Sequence, residues 1–506
     1  MSPRKSKRQA GGRRVKDQVV ETTSAALALG AQSGRLVIGA IVLAVLLLVV
    51  GEIRTASSGE PPAPPSEQRV GALAYGCAPF VQSGAASPTT VAVTSLPGEQ
   101  RDGGERTVVR LPGEDPVAAL ADAPRGTWAS ALAGRRTRAV VAEAQGAQAP
   151  GTVAYVASRA VAADGGGLAV GACPRPAPER WFVGAGSTAQ RSTTLVLTNT
   201  STSQGVVDLT LYGDGGEVEG VGTRGLVVEP RSARVVRLAQ LTSSESELAV
   251  RAVVRRGAVA VAATDVSATV AATAGSEYLP GAALPATEQT IAGVPAQRSS
   301  RTLLIANPSD RTATVGISIA TNDGIFTPTG LESVDAAPES VTSVTLPAGI
   351  SPRAYAVRLS SDVAVTASVR SRAGADHAYS VAAPAWQGTA VVPVQIGASL
   401  RAGGSSLVVT ADGDRAAAVR VTAHAEDGSE VGTTDLEAPA GATASLDPFG
   451  SGGVGVDADR VSYLTVETSS GAVRAAAAYT TGGIAVTPLT AAPVREAAPV
   501  VRPGAP

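Results

Sequence analysis

The sequence predicts an all-β protein: tandem immunoglobulin-like β-sandwich modules after one N-terminal transmembrane helix. Three observations carry this. A charge-free apolar run, Leu36 to Gly51, sits behind a basic head. One segment recurs three times along the chain with matched landmarks. Within each copy, apolar and polar residues alternate with period two and turn residues fall about every 8–12 positions, the pattern of short strands.

Composition sets the frame. A chain of 506 residues accommodates three or four domains at roughly 100–150 residues each. Hydrophobic residues are 44% and aromatics only 3%, so the cores must be Val, Ala and Leu. The net charge of −1 supplies no global field toward nucleic acid, and no nucleic-acid partner is expected. Lys5, Lys7 and Lys16 are the only lysines; every later basic side chain is Arg or His.

Residues 1–34 read as a basic cytoplasmic tail, with Arg4, Lys5, Lys7, Arg8, Arg13, Arg14 and Lys16. Residues 35–54 read as a signal anchor. As a helix, Leu36–Gly51 spans roughly 24 Å, a little short of a hydrocarbon core of about 30 Å. Arg35 can snorkel, and Ala31 to Gly34 extend the span. The positive-inside rule puts the tail in the cytoplasm and everything after Arg54 outside: a single-pass protein of the cell membrane. A cleaved signal peptide would need small residues before the cut, where Arg54 stands. A lipoprotein box would need its Cys near the apolar run, and Leu73–Cys77 lies far downstream with Tyr75 inside it. Residues 55–69 form a Pro-rich, extended stalk.

Residues 70–179 read as an irregular β-domain. Thr89–Ser95, Arg106–Leu111, Arg135–Gly146 and Gly151–Ser158 are strand-like, and the last two resemble the closing half of the later units. The only cysteines, Cys77 and Cys173, bracket this unit, and an even count outside the membrane implies a disulfide.

The regular repeats are placed at 180–290, 291–387 and 388–493. Their opening segments start at Leu195, Leu303 and Leu407, spaced by 108 and 104 residues. Each runs through an apolar stretch, a polar turn and an alternating stretch to Asp-Gly. In the second copy Val315, Ile317 and Ile319 face one side. Asn307 and Pro308 fall where a strand gives way to a turn, and Asn322-Asp323-Gly324 has the chemistry of a tight hairpin. Asn199 and Asn307 correspond to Ala411, so a catalytic or ligand role common to all copies is not expected. Residues 494–506 form a Pro/Ala tail, expected to be disordered.

Little catalytic chemistry is available. His377 and His424 are the only histidines, expected on an exposed loop or strand face. A Ser-His-Asp relay would have to use one of them, and no G-x-S-x-G elbow accompanies them. H-E-x-x-H is absent. The absence of lysine after residue 16 removes Schiff-base, Ser-x-x-Lys and P-loop chemistry from the exported part. Asp412, Asp414, Glu426 and Asp427 read as turn residues, with weak calcium binding or a glycosidase pair as alternatives. Leu284–Gln289 hints at a sortase signal, but it is internal and lacks an apolar tail. Among Trp128, Trp181 and Trp386, Trp181 with Phe182 is expected to plug a core. Trp386 is expected to plug a module junction, and a glycan-binding face is the alternative. Trp181 and Trp386 are thus the candidates for interaction or interdomain contact. No catalytic, cofactor-binding or metal-binding residue is assigned, and no cofactor is expected.

Behind the basic head, span and stalk come ACPRPAPERWFVGAG, then LVLTN and LLIANP. This series resembles an actinobacterial family of membrane-anchored proteins, domain of unknown function 5719. The shared motifs are Cys-Pro, a Trp-Phe pair and an apolar run ending in Asn; Ala411 departs from them. The resemblance covers most of the exported chain. It implies an envelope protein of a GC-rich Gram-positive bacterium and offers no catalytic residue to carry over. The expectation is a non-enzymatic, membrane-anchored scaffold or interaction module of the cell envelope. Its partners would be the cytoplasmic membrane, through the helix, and an envelope protein or polysaccharide. The alternative is a glycan-binding accessory of an envelope polysaccharide glycosyltransferase.

Overall fold

Alternation produces the outer strands. In Ala313–Thr321 the side chains of Val315, Ile317 and Ile319 are buried while Thr314, Gly316 and Ser318 are not. Ala417–His424 does the same with Val419 and Val421. Other strands do not alternate: Arg191–Asn199 is buried at every position from Thr193 onward. Those strands are covered on both faces, one by their own module and one by a neighbouring module.

The computed structural model describes residues 67–497, apart from 81–88, 99–102, 113–115, 121–122, 135–138, 160–166, 269–272, 297–299 and 402–403. The expected tail at 1–34, the anchor at 35–54, the stalk at 55–69 up to residue 66, and the C-terminal tail from 498 lie outside the described residues.

Eight strand positions recur in the same order. In the second module they are Glu179–Ala185, Arg191–Asn199, Gly205–Gly213, a split fourth (Gly216–Val218 and Leu226–Val228), Ser232–Arg237, Leu248–Arg256, Val259–Ala268 and Thr273–Leu279. Positions one, six, three and four make an outer antiparallel sheet; positions five, two, seven and eight make an inner one. The strands from Ala72 to Ala172 and from Thr389 to Leu489 repeat this order. So do those from Ala286 to Val381, where positions six and seven are one strand, Tyr355–Ala373, shared by both sheets. The irregular unit at 70–179 is therefore a fourth copy of the same module.

Each module is a β-sandwich with its core between the sheets. In the second module Leu209 and Val250 of the outer sheet meet Leu197 and Val261 of the inner one. The immunoglobulin comparison stops at the sandwich. In that fold the first two strands share a sheet; here they lie in opposite sheets. Two expected boundaries also shift. The one between 290 and 291 cuts the strand Ala286–Val294, and the one between 179 and 180 cuts Glu179–Ala185. Both strands belong whole to the module that follows.

The modules close on one another within the compact unit Glu67–Glu496. Their eighth strands are Leu168–Ala172, Thr273–Leu279, Asp376–Val381 and Ala485–Leu489. The first packs on the second, the second on the third, the third on the fourth, and the fourth back on the first. Glu67–Arg69 pairs with Arg495–Ala497, which joins the two ends of the ring. Gly151 N–H adds a bond to Pro493 O at 2.7 Å.

Candidate functional site

The residues singled out in the sequence are mostly structural in their surroundings. Cys77 and Cys173 form a disulfide with Cα atoms 4.7 Å apart, tying the first strand of the first module to the segment after its last. Trp181 is 1% exposed. Its indole N–H donates to Glu179 Oε1 at 2.7 Å, its ring stacks on Tyr212, and it shares an apolar cluster with Leu304 and Ala306 of the third module. Trp386 is buried in the cluster that includes the fourth module's core, exchanging backbone hydrogen bonds with Val473. Trp128, in the first module, stacks on Tyr463 of the fourth and donates to Gln395 O at 3.0 Å. All three tryptophans are at most 8% exposed, so none offers a flat face to a sugar ring.

The Asn positions are latches. Asn307 Nδ2 donates to the carbonyls of Arg311, Ala336 and Ala337, and its Oδ1 accepts from Ser309 N–H and Oγ. Asn199 repeats the set with Ser203, Val228, Glu229 and Ser201. Asp427 accepts from the N–H and hydroxyl of Ser429, a turn, and Asp412 pairs with Arg474. Asp414 lies exposed in the turn after Asp412. Trp128 N–H donates to the Glu426 carbonyl.

The histidines differ from expectation. Both lie on strands, but they are buried, at 3% and 2% exposure. His424 stacks on Tyr463 and meets Gly428 O and Thr465 Oγ1; burial lowers its pKa. His377 is more suggestive. Its Nδ1 lies 3.3 Å from Ser267 Oγ and its Nε2 3.1 Å from Asp265 Oδ2, so Ser, His and Asp fall in a row across the second and third modules.

The rest of that cluster decides what the row can do. Asp265 also accepts from Tyr379 OH at 2.7 Å, Thr193 Oγ1 at 2.5 Å and Arg191 Nε at 3.3 Å. Burial alone would raise its carboxyl, but the Arg191 guanidinium and then the His377 and Thr193 contacts hold it well below the usual range. Arg191 and Arg370 in turn share Glu247, each at 2.6 Å. A relay aspartate orients the imidazole and stabilises its positive charge. Here the charge of Asp265 is already matched by Arg191. The cluster acts as a clamp between modules.

A second polar centre lies where the eighth strands meet. Pairing registers make Gly167, Gly275, Asp376 and Gly483 equivalent in the four modules, and likewise Ala169, Glu277, Ala378 and Ala485. Each carboxylate thus occupies space that its three small equivalents leave open. A Cβ at Gly167 would sit 2.5 Å from Asp376 Oδ1, and one at Gly483 2.6 Å from Oδ2.

Eighth strands are sheet edges, with N–H groups that no strand pairs. The two acids take these amides. Asp376 Oδ1 accepts from Ser276 N–H at 3.2 Å; its Oδ2 accepts from Leu168 N–H at 3.2 Å and Ile484 N–H at 2.9 Å. Glu277 Oε1 accepts from Val170 N–H at 3.2 Å and Tyr278 N–H at 2.8 Å; its Oε2 accepts from Val486 N–H at 3.3 Å. The single side chain of Asp376 reaches all three other modules. Burial raises the pKa of both acids, and for Glu277 the charge of Asp376 adds to it. N–H donors already occupy every carboxylate oxygen, which is the wrong polarity for a cation.

Sequence reasoning does not single out Asp265, Arg191, Glu277 or Asp376. The available signal is an acid inside an otherwise apolar strand, as in VAVAATDVSA and TAGSEYL.

The model of a family of unknown function (DUF5719) matches residues 128–449, more than half of the chain. No curated protein matches it.

Proposed function

The chain belongs to the DUF5719 family, and from that premise we propose that it is a non-enzymatic scaffold or interaction module of a bacterial cell envelope. In this reading the N-terminal run anchors it in the cytoplasmic membrane and the four modules stand outside. The observation that carries the reading is the use made of buried ionisable side chains. Asp376, Glu277, Asp265, Arg191 and Glu247 all serve to join one module to another. Burying charges is costly unless they are paired and hydrogen-bonded. Their location at module junctions therefore favours a rigid platform that presents its outer sheets and loops.

Incubating purified full-length protein with isolated cell-wall polymer tests the enzymatic alternative. The scaffold reading expects no release of fragments. Release that disappears in the Ser267→Ala or Asp265→Asn variant would instead assign hydrolysis to the row of Ser267, His377 and Asp265.

A further inference from the structure

The geometry points to a binding site for a small anionic ligand with an apolar or aromatic body, in the cavity between the first, second and fourth modules beside the disulfide. The cavity measures about 320 Å³, the lower end of the roughly 300–1,000 Å³ typical of small-molecule sites. Its walls include the rings of Tyr75, Tyr155, Phe182 and Tyr278.

Four hydroxyls of these walls are already engaged. Tyr75 OH donates to Thr152 O at 2.6 Å, Tyr155 OH to Val391 O at 2.5 Å and Tyr278 OH to Ala78 O at 3.1 Å. Thr487 Oγ1 donates to Val170 O at 3.0 Å. Their hydroxyl hydrogens are spent on backbone carbonyls, a poor match for a polyhydroxylated sugar.

Arg175 and Arg180 complete the lining, and no Asp or Glu stands among the lining residues. Arg180 is half-buried and Arg175 exposed. Arg180 Nη2 donates to the Arg175 carbonyl at 3.3 Å. Gly281 leaves room for it: a Cβ there would lie 2.8 Å from Arg180 Nη1. Burial, and then the positive charge of Arg175, lower the Arg180 pKa. Among the described residues, no carboxylate forms an ion pair with either arginine. Two arginines without a carboxylate partner, lining one cavity with four aromatic side chains, suit a carboxylate or phosphate carried on a ring or an aliphatic chain. This site stands whether or not the scaffold reading holds.

Calorimetric titration of the full-length protein in detergent tests it, with benzoate and phenyl phosphate as probes and benzamide as the neutral control. Saturable binding of at least one anion and none of benzamide is expected, weakened about tenfold or more by Arg175→Glu. The tighter anion tells whether the site prefers carboxylate or phosphate. Arg175 is exposed, so its variant should keep the fold, which an unchanged melting temperature verifies; Arg180→Gln is the second variant. Absence of saturable binding by both anions, equal binding of benzamide, or affinity indifferent to both arginine variants would overturn the assignment.

Discussion

Asp376 Oδ2 accepts a hydrogen bond from the backbone N–H of Ile484 at 2.9 Å, joining the third module to the fourth. The same carboxylate reaches Leu168 of the first module and Ser276 of the second. One side chain, at a position where the other three modules have glycine, closes the ring at its centre.

Asp376→Ala leaves three inward-facing amides without these acceptors. A buried group left unsatisfied costs about 1–3 kcal/mol, so for three amides a loss of about 3 kcal/mol or more is expected from urea unfolding curves. Asp376→Asn should cost less, since its Oδ1 still accepts.

Glu277 and Asp265 shape the pH profile in opposite directions. Glu277 is raised in the folded state, so the folded protein holds a proton the unfolded chain has released. Stability then falls as pH rises from the ordinary value of 4.5 through the raised one. Asp265 is lowered, so its contribution is present above its ordinary value of 3.8 and is lost as pH falls. The Glu277 contribution therefore weakens urea midpoints toward alkaline pH and the Asp265 contribution weakens them toward acid pH. Glu277→Gln should flatten the alkaline side and leave the acid side in place.

The Asn latches predict matched effects in two modules. Asn199→Ala and Asn307→Ala each remove three donated bonds to carbonyls. Each should cost about 2–3 kcal/mol in chemical denaturation.

Ser267→Ala and Asp265→Ala separate a clamp from a catalytic relay. The serine change should cost less than about 1 kcal/mol. The aspartate change strips Arg191 of one carboxylate partner within a buried cluster and should cost about 3–5 kcal/mol. Melting curves of the two variants make the comparison.

Cys77→Ser with Cys173→Ser opens a loop with a sequence separation of 96. The expected loss is about 2–4 kcal/mol. Hydrogen exchange should quicken first in Ala72–Cys77 and Leu168–Ala172, before Arg301–Asn307.

The sandwich was legible because its outer strands keep the period-two rule, as Val315, Ile317 and Ile319 do. The latches were legible as turns from Asn307 and Asn199, with Ala411 marking them as structural. The ring was not. Inner strands such as Arg191–Asn199 are covered on both faces, which erases the alternation that would reveal a second contact surface. The central acids escaped for a related reason. Asp376 aligns with glycines and Glu277 with alanines, so comparing the copies shows two isolated exceptions where the fold places one complementary filling. The histidines were misplaced because no local pattern shows that a strand-face residue is covered by another module.

The most direct measurement of the scaffold reading is crosslinking of the full-length chain in growing cells, followed by mass spectrometry. With no lysine after residue 16, amine-reactive reagents miss the four modules, so a photo-crosslinking residue on the outer sheets is needed. The account predicts a stoichiometric envelope or membrane protein linked to those sheets, with no shortened wall polymer. Recovery of wall polysaccharide fragments alone, cut in the presence of the wild-type chain and intact with Ser267→Ala, would contradict it.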